Sequence, residues 1–477
     1  MDPVTGDLTA LAPAEPPRPA TSGAGDWVRR NLFRSVGDGI VTVVAAVVIG
    51  YVLFRLGRYV FVTGRWEIVR RNLGLFMYGR YPRDELWRIV VALCAISAYG
   101  GVFAGHLDRR RADAGITGPR LTPAARARDL LSRFWPLLLG VLVLLLLAGT
   151  ATPWFVALAV VGAGVAGRLG GGLLGKRWLL PLLGVGVASL VAVMALLLDA
   201  AGWDRWGGLM ITILLAVAGI VLCFPLGVLL ALGRRAGREV NSIGGGIVVA
   251  VVVAAIPIVL LVLTGTDPSR PLTWILLGLA VAGGTGGFFV GKRSSLPLVR
   301  VLSVVYIEFF RGVPLYVLLF LSYLGLGFFL PRGFDTPGIV VRAVVVFTLF
   351  TAAYLAEIVR GGLQSLPRGQ TEAAQALGLG PIRTNALIVL PQALRNVIPS
   401  IVGQFISLFK DTTLAGAVMG ILELLRTSDV ANAQADFAGA GLYAETIPFV
   451  MFVFWVGCIT MSRESQRLER KLGVGTR

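Results

Sequence analysis

Residues able to carry chemistry are few, and most stand as charged pairs against apolar sequence. Glu308 and Arg311 lie three residues apart, as do Glu357 and Arg360, and each pair is followed by a glycine, Gly312 and Gly361. Lys410-Asp411-Thr412-Thr413 follows another apolar run. Ionisable residues in hydrocarbon are costly and usually face a cavity or one another. At i,i+3 on a helix, each Glu–Arg pair can neutralise itself. The same residues would also suit a passing zwitterion, with Arg311 or Arg360 meeting its carboxylate and Glu308 or Glu357 its ammonium. Lys410 and Asp411 invite the same two readings. No catalytic or metal constellation accompanies them. The single histidine, His106, ends an apolar run without Cys, Asp or Glu at ligand spacing and reads as interfacial. Cys94, Cys223 and Cys458 each stand alone in apolar segments, which gives neither a disulfide framework nor a metal site.

Two glycine-rich runs, "GGGLLGKR" and "GGFFVGKRS", imitate a phosphate-binding loop. That loop needs a hydroxyl after its lysine to hold Mg²⁺, and Arg177 and Arg293 occupy that place. Both runs also end apolar segments instead of following a strand. The chain is therefore expected to hold no nucleotide or other cofactor of its own, and any ATP and Mg²⁺ would act through a partner.

The elements that must position these residues are membrane helices. Of 477 residues, 56% are hydrophobic and 15% charged, and the mean hydropathy is +0.79. A β-barrel would show alternation, which the apolar runs lack. The net charge of +18 comes mostly from arginines flanking apolar segments, the pattern of cytoplasmic loops, and no basic domain suited to nucleic acid is present. Residues 1–37 read as a disordered tail without a cleavable signal peptide. About twelve spans are expected, near 40–54, 86–104, 134–149, 154–167, 178–198, 207–232, 247–264, 272–290, 313–330, 340–357, 399–420 and 446–461. The arginine-rich stretch 55–85 reads as an amphipathic interfacial helix plus loop, although this count places it outside the cell. Residues 149–182 align without gaps on 265–298, which suggests a duplicated helix pair.

One polar stretch stands out, "TEAAQALGLGPIRTNALIVLP" at 371–391. Thr371 can cap a short helix, Glu372 lies in its first turn, Ala373, Ala374 and Ala376 add little bulk, and Gly378, Gly380 and Pro381 end it. The spacing E-A-A, three residues, G, nine residues, I-x-L-P resembles the signature loop of permease subunits of bacterial ABC importers. The resemblance covers about 205–235 and 294–470 through "SSLPLVRVLSVVYIEFFRGVPL", "AAYLAEIVRGGLQSLPRGQ", "LPQALRNVIPSIVGQFISLFKDTTL" and "SRESQRLERKL". With "FMYGRYPRDELWR" near residue 80, it looks most like the polar and general L-amino-acid members.

The resemblance implies an all-α polytopic fold of the type I importer permease, in the bacterial inner membrane. Residues 370–378 would be the coupling helix, with Glu372, Ala373, Ala374 and Gly378 contacting a cytoplasmic ATPase dimer. A second homologous permease and an extracytoplasmic amino-acid-binding protein are the further partners it implies. The chain departs from the family in one place, 236–293, where an extra helix pair follows the core helix, and 38–204 reads as an N-terminal transmembrane extension. Residues 471–477 form a short tail. An integral-membrane enzyme would need an interfacial cluster of His, Asp or Glu, and a secondary transporter would favour inverted repeats, neither of which the sequence offers.

Overall fold

The computed structural model describes residues 24–115, 123–175, 178–235, 271–293, 298–329 and 336–473. Among the described residues all regular structure is helical, apart from two isolated bridges, Gly79 with Trp206 and Gly208 with Glu423. Residues 24–65 form one unit. In it α1 (Ala24–Leu32) precedes α2 (Val36–Arg58), which a π turn over Tyr59–Thr63 prolongs. Ser35 starts α2, its hydroxyl accepting from the Asp38 N–H at 3.1 Å. Asp38 in the first turn and Arg55 and Arg58 in the last complement the helix dipole. Helix α1 lies within the stretch expected to be an unstructured tail, and residues 1–23 lie outside the described residues.

The second unit starts at Trp66. Its first helices are α3 (Glu67–Arg71), α4 (Leu73–Tyr78), α5 (Leu86–Asp113), α6 (Pro123–Ala148), α7 (Thr152–Gly171), α8 (Leu179–Ala200) and α9 (Gly208–Arg235). Then come α10 (Pro271–Arg293), α11 (Leu298–Gly312), α12 (Leu315–Phe320), α13 (Ile339–Gln364), α14 (Gly369–Ala376) and α15 (Pro381–Thr384). The last are α16 (Leu390–Asp411), α17 (Thr413–Met419), α18 (Leu424–Asn432) and α19 (Tyr443–Leu472).

Among the described residues eight helices are long and apolar enough to cross a membrane: 36–63, 83–113, 131–148, 152–171, 208–235, 339–364, 385–419 and 443–472. A ninth is broken, since α11 and the 315–329 helix meet at 98°. Pro314 sits at that break, where a residue without an N–H cannot continue the ladder. Helices α8 and α10 occupy two more of the expected positions, while 247–264 lies outside the described residues. Helix α10 continues through "GGFFVGKR" to Arg293, so no phosphate loop forms there.

The extension is built on close helix contact. Gly101 and Gly105 of α5 lie against the carbonyls of Gly164 and Arg168, and Gly167 and Gly171 of α7 lie against those of Ala98 and Val102. The matched spacings show that α5 and α7 run parallel. A Cβ at any of these positions would strike backbone, so glycine allows the van der Waals contact that replaces the hydrophobic drive inside lipid. The Tyr99 hydroxyl donates to the Leu182 carbonyl and Arg88 to that of Leu196, which sets α8 antiparallel to α5. Helix α6 runs antiparallel to α19, with Arg133 on Glu464 at 2.6 Å and Gly140 on Val456. In the core, Gly227 of α9 packs on Leu355 of α13 and Gly219 on Phe347.

Two expectations need correction. The 66–82 stretch is no interfacial helix on a lipid surface. Ile68, Val69 and Phe76 are fully buried, in one cluster with Leu424, Ala431 and Phe449. Arg71 meets Glu67 at 2.6 Å. His106 is likewise not interfacial. Helix α5 runs past the apolar segment to Asp113, and His106 inside it is fully buried. Among the described residues no group of His, Cys, Asp or Glu could hold a metal, and all three cysteines are free.

Candidate functional site

Two features lie at the end of the bundle where α9 and α13 finish. The first is α14, which begins at Gly369, three residues earlier than a Thr371 cap would allow. Thr371 is therefore in the first turn, its own N–H bonded to the Arg368 carbonyl at 2.9 Å. Glu372 stands in that turn as expected, where the dipole favours an anion. The helix ends at Gly378, whose φ of 76° belongs to the left-handed region. The Gly378 N–H donates to Gln375 and that of Leu379 to Ala374, closing the last turn.

The expected contact residues divide between two faces. Ala374 is buried, and it anchors the helix to the chain behind it. Glu372, Ala373, Gln375, Ala376 and Gly378 are exposed. So is Leu377, at 80%, a leucine at the tip of a protruding helix that inspection of the E-A-A pattern passed over. The signal was available, as an apolar residue just before the helix-ending glycine.

The second feature is an ion cluster joining α9, α11 and α13. Glu357 accepts from Arg234 and from Arg360, the latter at 2.8 Å, and Arg311 stands 4.0 Å away. Arg234 also reaches Glu308 at 3.1 Å. Self-neutralisation at i,i+3 thus holds for Glu357 and Arg360, whereas Glu308 pairs with Arg234 and Arg311 turns towards Glu357 and the Tyr354 ring, 5.7 Å from its centroid. Arg234 is the member that sequence reasoning missed, because it read as one more positive flank of an apolar helix.

Lys410 and Asp411 lie elsewhere. Their neighbour Leu408 packs on Gly219, fifteen residues before Arg234, or about 22 Å of helix rise. Neither has an ion-pair partner among the described residues. Lys410 is exposed and Asp411 half-buried, both within the 385–419 span. The pairs expected to share one path therefore form two separate places along the bundle.

Long apolar helices, one small polar helix at their end and ion pairs tying three of them together define a multi-pass membrane protein. A family model described as "Binding-protein-dependent transport system inner membrane component" matches residues 283–472. The chain is 30% identical to the inner membrane amino-acid ABC transporter permease protein YhdY of Escherichia coli, covering 98% of this chain and 99% of that one. It is 35% identical to the glutamate/glutamine/aspartate/asparagine transport system permease protein BztC of Rhodobacter capsulatus, covering 85% and 78%. The chain belongs to the family of amino-acid ABC transporter permeases and is a multi-pass protein of the bacterial inner membrane.

Proposed function

We propose that this chain is one of two homologous permease subunits of an ATP-driven importer for polar or broad-range L-amino acids. A separate extracytoplasmic binding protein delivers substrate, and a separate cytoplasmic ATPase, which holds ATP and Mg²⁺, supplies motion. The observation that carries this reading is the two-faced build of α14. Buried Ala374 fixes it to the chain behind it, and Glu372, Ala373, Ala376 and Leu377 present a small, partly apolar outer face that stays uncovered among the described residues. Rigid-body displacement of such a helix would pass through α15 and the π turn at 385–389 into α16.

Lys410 and Asp411 are assigned to the translocation path. Charges within a span are tolerated where they face a water-filled cavity, and a zwitterion meets both signs there. The Arg234–Glu308–Glu357 cluster instead ties three helices together beside α14. ATP-driven amino-acid uptake in cells tests the reading. Glu372→Lys and Gly378→Pro variants that still insert in the membrane should lose uptake, and full uptake by both would refute the coupling role.

A further inference from the structure

At the opposite end of the bundle from α14, residues 71–83 and 430–434 enclose a pocket of about 590 Å³. Its shape is held firmly. Gly79 pairs with Trp206, the Arg80 N–H donates to the Arg205 carbonyl at 3.1 Å, and the Tyr81 hydroxyl donates to that of Leu197 at 3.2 Å. Asn72, itself buried, accepts from the Gln434 amide at 2.6 Å and joins the two walls. The volume falls in the range of small-molecule sites.

The pocket is lined by Arg71, Arg80 and Arg83 and by no carboxylate. Arg71 is paired, with Glu67 at 2.6 Å and with Asp436 at 3.8 Å. Arg80 and Arg83 are exposed and have no ion-pair partner among the described residues. Two guanidiniums without counter-charges, each able to take a carboxylate in bidentate fashion, stand in one cavity. Asp436 is outside the lining but 3.8 Å from Arg71, which is part of it, so a carboxylate stands one side chain away from the pocket.

We propose that this pocket binds amino acids carrying a second carboxylate, with Arg80 and Arg83 taking the two carboxylates and Asp436 the ammonium, as a first site at the outer mouth of the permease. The assignment to the outer mouth rests on the proposed cytoplasmic position of α14. It places a selection for acidic substrates before the Lys410–Asp411 region, at the other end of the bundle from the coupling helix.

The test uses the full chain in lipid nanodiscs, titrated with L-glutamate, L-aspartate, L-glutamine and a hexa-L-glutamate peptide. L-Glutamate and L-aspartate should bind at least tenfold more tightly than L-glutamine. Arg80→Gln/Arg83→Gln should lose at least tenfold in affinity for both acids, Arg80→Lys/Arg83→Lys should recover part of it, and Arg109→Gln/Arg110→Gln should bind as the wild type does. Equal binding by the first double variant, or equal affinity for L-glutamine, would overturn the site. Binding of the peptide without L-glutamate would overturn it in favour of a protein-docking surface. Impermeant thiol labelling separates failure of the underlying orientation. Arg80→Cys and Ala373→Cys should react from opposite faces, and reaction from the same face would overturn the outer-mouth role whatever the binding result.

Discussion

Glu357→Gln isolates the ion cluster, because it removes one charge and keeps the shape of the side chain. Its carboxylate is 16% exposed, and Arg234 and Arg360 beside it are 25% and 30% exposed, so solvent screens these contacts only in part. Two charges about 4 Å apart interact by about 4 kcal/mol at an effective dielectric of ~20. Desolvation of the pair offsets some of that, and the neutral amide still accepts one hydrogen bond, which leaves a net loss of about 2–3 kcal/mol. Arg234 would retain Glu308, at 3.1 Å, whereas Arg360 and Arg311 would lose their shared counter-charge. Thermal unfolding of the purified chain in nanodiscs should show a midpoint lowered by several degrees. The double change Glu357→Leu/Arg360→Met, which removes the counter-charge together with the i+3 arginine it holds, should be milder than Glu357→Gln, since deleting a whole pair costs less than orphaning one member. An unchanged midpoint for Glu357→Gln, or a double variant less stable than Glu357→Gln, would refute the reasoning.

Glu423 sits outside the spans at the start of α18, fully buried, accepting from the N–H groups of Leu425 and Arg426 at 2.7 Å. Burial pushes its carboxyl up to about 7, against the pull of those two N–H groups, and Asp429 adds to the rise. The folded state then holds a proton that the unfolded state, titrating near 4.5, has lost, so stability should fall as pH rises from about 4.5 to 7 and level off above. The midpoint measured across that window should drop by an amount that Glu423→Gln abolishes, and an identical pH profile in that variant would contradict the assignment. Gly105→Leu drives a side chain into the Arg168 carbonyl and should cost about 1–3 kcal/mol or more by forcing α5 and α7 apart. Thermal unfolding of the purified chain in nanodiscs would report it, with a midpoint lowered by several degrees after Gly105→Leu and unchanged after Gly100→Ala, where a Cβ meets nothing within 4 Å. Leu377→Ser leaves the fold untouched, since that side chain is exposed, yet should weaken pull-down of the partner ATPase several-fold.

Helix α14 was legible because everything that makes it is local. The dipole favours Glu372, the alanines favour helix, and Gly378 adopts the left-handed turn its neighbours need, all within ten residues of chain. Even here the sequence misplaced the cap by three residues, since Thr371 looks like a cap and the backbone of Arg368 does that work. The same pattern could not say that Ala374 faces inward while Ala373 and Ala376 face out, because that depends on how α14 rests on α15 and the π turn. The 66–82 stretch misled for a related reason. Its arginines and aromatics resemble an interfacial helix, and only the cluster formed with Leu424, Ala431 and Phe449, some 350 residues on, makes it part of the protein interior.

Composition by itself determined that this is a helical membrane protein, because a bilayer forces each span to satisfy its own backbone and so writes the span into a continuous apolar run. Spacing alone singled out residues 371–391 and the positions of most spans. The tertiary structure decided which charges meet. Arg234 finds Glu357 across 123 residues, Glu308 takes Arg234 in place of its own i+3 arginine, and Arg80 and Arg83 come to share one cavity without a counter-charge. Lipid-soluble sequence leaves the rotation and register of each helix undetermined. Those are fixed by close contacts such as glycine against carbonyl in α5 and α7, which exist only when both helices are in place.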